Sequence, residues 1–264
     1  MKTKLMILCL SLLLAACTPK ENEEIFVKKI DHFMLTCKEP KELYGMLEHT
    51  FDLPVSWPYR NMGEFTSGGI EFGNCVLEAV DFKKAENIAN IDGILGMAFE
   101  PAMKVSDIKD RLREKGFQEA NIYSGHYWQN LVCNDLSTGG TVFFCEYQIP
   151  VSRPDKEPGG NLGIRYIEKV KIAYSDYTKA LDLWRKLLVP HKETKEGFWE
   201  IEASPNIEII KDDYDKFISF EVKVKSLEKA RSFLSEKDLI GKDTGSSVYT
   251  DPQKTYGVLF EFTE

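Results

Sequence analysis

Apolar positions in this chain recur with two periods, and the alternation of those periods predicts its elements. "IDHFMLTC", residues 30–37, reads as a strand. "EPKELYGMLEHTF", residues 39–51, reads as a helix, with Pro40 in the first turn and Leu43, Leu47 and Phe51 as its buried stripe. "PVSWPYRNMG", "EFTSGGIEFGN" and "CVLEAVDF" then read as three more strands. The unit is one strand, one helix and three strands.

The same order returns. "GILGMAFE" (93–100) predicts a strand and "SDIKDRLREKGF" a helix, with Ser106 as N-cap and Gly116 as its stop. "NIYSGHYWQNLVCN" and "TVFFCEYQI" supply the strands that follow. "IRYIEKVKIAY" opens a third unit, whose helix "DYTKALDLWRKLL" has Asp176 as N-cap and whose later strands are "FWEIEAS" and "NIEIIKD". "FISFEVKV" opens a fourth, with Ser226 capping "SLEKARSFLSEKDL" before "SSVYTD" and "GVLFEF". Between the second and third units lies "PVSRPDKEPGGNLG", rich in proline and glycine, which predicts a linker. The expected fold class is α+β: two tandem domains, residues 25–150 and 164–264, joined by a linker at 151–163, each a pair of βαβββ modules forming a cupped mixed sheet.

Four βαβββ modules in this order resemble the vicinal oxygen chelate superfamily, which includes glyoxalase I, bleomycin-resistance proteins and extradiol dioxygenases. The resemblance runs over about residues 26–264 and is most literal in "IDHFMLTCKEPKELYGMLEHTFDLP" and "FTSGGIEFGNCVLEAV". It implies a metal cup in which the first strand of each module offers His or Gln and the last strand offers Glu. Alternation along a strand lets one inward residue per strand reach a common point.

Carried over position by position, module one offers His32 and Glu78, and module two Gly96 and Glu146. Module three offers Lys169 and Glu208, and module four Phe217 and Glu261. Domain one would thus hold a divalent metal (zinc, manganese, nickel or iron) on His32, Glu78 and Glu146. In domain two a protonated Lys169 would neutralise Glu208 and Glu261 as a degenerate, metal-free site. One histidine with two carboxylates departs from the two-histidine, one-carboxylate set of an iron dioxygenase, so lyase or isomerase chemistry on a small oxygen-chelating substrate fits better. Glu146 or His126 would move the proton. Trp57, Trp128 and Asn130 would wall the pocket, His126, Trp128 and Asn130 sharing one strand face. The alternative is a non-catalytic protein that binds or sequesters a small molecule, as bleomycin-resistance proteins do.

Composition narrows partners and place. The formal net charge is −8 with no basic patch or stripe, which argues against nucleic acid. Residues 1–16 combine a basic start, "MKTK", with the apolar run "LMILCLSLLL", too short to span a bilayer. "LAAC" follows, so the segment resembles a bacterial lipoprotein signal peptide with Cys17 as the lipidated residue and 17–24 as a tether. The expected location is the bacterial cell envelope, with membrane contact through the lipid alone. Cys37, Cys75, Cys133 and Cys145 all fall in the first half and form no C-x-x-C pair, which excludes a zinc ribbon and favours free thiols in strands.

Overall fold

A computed structural model describes residues 24–82, 92–137, 140–149, 151 and 157–264. The leader, Cys17, nearly all of the tether and part of the linker lie outside the described residues. Among those described, no helix is long and apolar enough to cross a membrane.

Among the described residues sixteen strands form two sheets of eight, and four α-helices accompany them. In the first half the chain runs β1 (Val27–Thr36), α1 (Pro40–Gly45), β2 (Val55–Asn61), β3 (Thr66–Glu71) and β4 (Val76–Asp81). It continues through β5 (Gly93–Pro101), α2 (Val105–Glu114), β6 (Ala120–Ser124), β7 (Trp128–Cys133) and β8 (Thr141–Tyr147). The sheet order is β2-β3-β4-β1-β5-β8-β7-β6, so the first strands of the two modules meet antiparallel at the centre and each lies parallel to the last strand of its own module. The second half repeats this with β9 (Ile164–Tyr174), α3 (Tyr177–Leu188), β10 (Lys192–Lys195), β11 (Phe198–Glu200) and β12 (Asn206–Lys211). β13 (Lys216–Val224), α4 (Leu227–Glu236), β14 (Ile240–Asp243), β15 (Val248–Thr250) and β16 (Phe260–Thr263) complete it, in the order β10-β11-β12-β9-β13-β16-β15-β14. The fold is α+β in two tandem eight-stranded halves, as the repeat predicts.

Local chemistry explains the helices. Leu43, Leu47 and Phe51 are fully buried, and a π-helical turn at Met46–Thr50 carries the stripe on from α1. Asp176 accepts from the Lys179 N–H at 3.2 Å and Ser226 from the Lys229 N–H at 3.3 Å, so both predicted caps form. Ser106 does not cap α2. That helix starts two residues earlier, at Val105 after Lys104, and runs to Glu114, with Gly116 just beyond it at a φ of +95°.

One apolar core joins the halves, between the sheet faces that carry the helices. Phe33 of β1 meets Phe220 of β13 with ring centroids 4.8 Å apart, and Phe99 meets Trp184 at 6.3 Å. Polar clamps reinforce it: the Asn74 side-chain amide both donates to and accepts from the backbone of Ile167, at 2.8 and 3.1 Å. The Ile30 N–H donates to Ser204 Oγ at 2.9 Å. Cys75, Cys133 and Cys145 are buried and Cys37 is half-buried.

Candidate functional site

The central strands fix which side chains meet in each cup. In domain one His32 pairs with Ala98 across β1–β5, and Ala98 pairs with Phe143 across β5–β8. Met34 pairs with Glu78 on one side and Gly96 on the other. Phe143 and Cys145 pack with Ala98, and Met34, Trp128, Val132 and Tyr147 close around them, a small cluster apart from the main core. That cluster marks the cup face.

A chain of polar contacts crosses this face. The Trp57 indole N–H donates to Ser67 Oγ at 3.3 Å, and Ser67 in turn hydrogen-bonds Glu78. Glu78 lies 3.4 Å from His32 Nε2, and His32 Nδ1 lies 2.6 Å from Asp31 Oδ2. The Tyr147 hydroxyl donates to the same Asp31 oxygen at 2.9 Å. Asp31 reaches the cup because β1 shifts register between Ile30 and His32, a bulge that turns two successive side chains to one side. Asp31, His32, Ser67 and Glu78 are all buried. Burial pushes the Glu78 carboxyl above its usual range, against the opposing pull of His32 and the Ser67 hydrogen bond. Trp57 lies flat over Gly69, where a β-carbon would come within 2.5 Å of the indole ring. A glycine here makes room for the aromatic wall.

A cavity of about 610 Å³ opens beside this chain. Lys29, Asp31, Glu100, Glu146, Tyr147 and Ile149 are among its lining residues. On the cup face the Asn130 side-chain oxygen is buried and has no hydrogen-bond partner among the described residues.

Glu146 does not join His32 and Glu78. It follows Cys145 on β8 and turns away from Phe143, and its Oε2 accepts the Val105 N–H at 2.9 Å. It supplies the cap that Ser106 was expected to give α2. Its counterpart in the repeat is Glu264, which accepts the Leu227 N–H at the start of α4, at 3.2 Å. Phe143 takes the ligand position instead, opposite Ala98 as Glu261 is opposite Glu221. Phe143 meets His32 edge to face at 5.7 Å.

His126 also stands apart from His32 and Glu78. It lies in the hairpin turn before β7, exposed, with its ring against Tyr127 at 4.4 Å. Trp128 and Asn130 do share the cup side of β7, paired with Tyr147 and Cys145. Asp31 and Tyr147 were missed. The sequence signal for Asp31 was its match to Glu168, the acid that precedes Lys169 at the same bulge in β9.

In domain two the Lys169 ammonium lies 2.9 Å from Glu208 and 3.2 Å from Glu221. Its partner pair is therefore Glu208 and Glu221 rather than Glu208 and Glu261. Glu261 accepts the Tyr249 hydroxyl at 2.5 Å. Phe217 belongs to the core, and Ser219, opposite Lys171, holds the first-strand position of module four.

No protein-family profile matches this chain, and no curated protein sequence does. Solved structures do. Homoprotocatechuate 2,3-dioxygenase from Brevibacterium fuscum, in complex with 3,4-dihydroxyphenylacetate, superposes with a TM-score of 0.64 at 10% identity, over 91% of this chain and 81% of that one. The fold is that of the extradiol dioxygenases. A catechol 2,3-dioxygenase gives a TM-score of 0.58 at 13% identity, covering 90% and 88% of the two chains. A 4-hydroxymandelate synthase variant from Streptomyces coelicolor gives 0.60 at 12%, covering 90% and 92%.

The resemblance read from the sequence implies a divalent metal, so the donor set of each cup is the test of that expectation. Domain one brings His32 and Glu78 together but puts Gly96 and Phe143 at the other two places. Domain two puts an ammonium between its carboxylates. Among the described residues no group of three His, Cys, Asp or Glu side chains converges as metal ligands. Neither cup fits a resident metal of the expected three-ligand kind.

Proposed function

We propose that the chain is an exported, lipid-anchored protein of the bacterial envelope whose domain-one cup binds a small molecule without a resident metal. One observation carries the binding assignment. Domain one has Gly96 and Phe143 at the two ligand positions of its second module, beside one buried Asp31–His32–Glu78 chain at the cup floor. Apolar walls with a few fixed polar groups are what a small-molecule site needs. Trp57, Trp128 and Phe143 supply flat apolar surface. Asp31 and the Asn130 side-chain oxygen are acceptors, so the ligand class is a small, flat compound carrying hydroxyl or amine donors. The anchor rests on the leader and Cys17: Cys17→Ser should move the protein from the membrane to the soluble fraction.

The binding test is thermal stabilisation of the mature chain by catechol and by 3,4-dihydroxyphenylacetate, the compound seen in the dioxygenase complex. Stabilisation should persist in a chelator and disappear in His32→Ala and in Gly69→Leu, which displaces Trp57. No response to either probe, or a response that survives both variants, removes the assignment.

A second reading has its own support. Asp31 on His32 Nδ1 directs Nε2 toward the cup, the arrangement that orients metal-binding histidines. On that reading His32 and Glu78 hold a divalent metal together with oxygens of a chelating substrate, and the chemistry is that of a lyase or isomerase. Probe binding that needs zinc, manganese, nickel or iron(II) and is lost in chelator would select it.

A further inference from the structure

Among the described residues seven large apolar side chains are exposed, and five of them lie at one end of the first sheet. The strand directions place them there. β1 begins where β5 ends, with Val27 opposite Pro101, and β8 runs parallel to β5. β7 begins and β6 finishes at the same end, with Trp128 opposite Tyr147 and Ser124 opposite Gln129. Ile25 precedes β1, Tyr123 lies near the end of β6, Tyr127 precedes β7, and Ile149 and Val151 follow β8. Their exposures run from 45% to 55%. The Gln148 N–H donates to the Tyr127 carbonyl at 2.8 Å, which holds the hairpin turn against the end of β8. Ile149 and Val151 also line the cavity.

Apolar side chains gathered at one end mark a contact surface. Position in the chain selects what covers this one. Ile25 is eight residues from Cys17, a span of at most about 28 Å for a fully extended chain. We infer that this end of domain one is a bilayer-docking surface, which lays the cavity against the membrane that holds the lipid on Cys17. The inference rests on the lipid anchor proposed above. Two tyrosines among aliphatic side chains suit the boundary between headgroups and acyl chains, where the ring has apolar contact and the hydroxyl stays hydrated. A net charge of −8 gives no general attraction to anionic headgroups, and Lys28 and Lys29 at this end are both paired with Glu100. The contact is therefore apolar and insensitive to salt. The surface is small, so it orients an anchored protein and does not retain a free one.

The test uses the full lipidated chain in phosphatidylcholine vesicles. Cys37→Ser removes the half-buried thiol, and a polarity-sensitive maleimide dye is placed by Ile149→Cys or, as a control in the β2–β3 turn, by Met62→Cys. A nitroxide carried on the lipid should quench the dye at position 149 and leave the dye at position 62 bright, in low and high salt alike. Ile25→Ser/Tyr127→Ser should return the emission at 149 to its value in water and leave the melting temperature unchanged, because both side chains are exposed. Equal quenching at the two positions, or none at either, overturns the docking while the anchor stands. Absence of lipid on Cys17 by mass spectrometry removes the anchor and this inference with it. A blue shift at 149 that appears without vesicles and grows with protein concentration also overturns it, because a second copy then covers the surface.

Discussion

The two cups share one backbone and differ at almost every position that faces their centres. Where domain two has Lys169, Glu221 and Glu261, the same register positions of domain one hold His32, Ala98 and Phe143. Where domain two has Lys195 paired with Phe198 across β10–β11, domain one has Trp57 over Gly69. Among the last-strand positions only the carboxylate of the first module in each half is common: Glu78 and Glu208. Domain two has satisfied its charges internally. Domain one has shed charge, gained aromatic walls and kept a buried carboxyl whose hydrogen bonds run to a neutral serine and an imidazole. A duplicated fold can thus assign one copy to binding and the other to support, and the difference lies in side chains.

The division of labour requires the halves to stand or fall together, and the shared core is where that can be broken. Phe220 is fully buried between Phe33 of the other sheet and Phe260 of its own, at 4.8 and 5.9 Å. Phe220→Ala should cost about 3–5 kcal/mol, the usual range for emptying a buried aromatic site. Calorimetry should show one transition moved down as a whole. Two transitions, with only the second half destabilised, would make domain two an independent body and end its role as a support.

A smaller effect sharpens how the modules align. Glu146 and Glu264 both accept the first N–H of the helix after their module's first strand. Glu146→Ala and Glu264→Ala should each cost about 1 kcal/mol, as lost caps do, and Glu146→Ala should leave probe binding in the cup unchanged within twofold. A Glu146→Ala variant that folds well and binds nothing would return Glu146 to the site.

The same pair shows what could be read in the chain. The fourfold βαβββ order was legible because periods of two and near four alternate with caps and glycines between them, and every module's first strand and helix appear where that pattern puts them. Asp176, Ser226 and Gly116 were legible because capping is local chemistry. The ligand positions depend on strand register, which is set by bulges and by pairing with strands distant in sequence. "FFCEY" offers one glutamate, and the sequence alone cannot tell that Phe143 rather than Glu146 faces the cup. Asp31 was hidden for a related reason: strict alternation puts it on the opposite face from His32, and only the bulge brings it back.

The smallest expected effect is a difference in sign between the two shared carboxyls. Burial raises the pKa of Glu78, with His32 and Ser67 only partly opposing it. A raised folded-state pKa gives stability that is present below the unfolded value, near 4.3, and is lost as pH rises. At Glu208 burial also raises the pKa, but hydrogen bonds from Lys169 and Lys195 overcome it and the net shift is downward. Glu208 therefore contributes stability above about pH 4.3 and loses it as pH falls. Glu78→Gln should gain stability relative to the parent between pH 4 and pH 8. Glu208→Gln should lose stability over the same interval, each by no more than about 1 kcal/mol, the scale of a single hydrogen bond. Urea denaturation at intervals across that range reads both slopes. If the two variants move in the same direction, the cups share one electrostatic environment, and the contrast between a binding half and a self-neutralised half has no physical basis at the last-strand carboxyl they have in common.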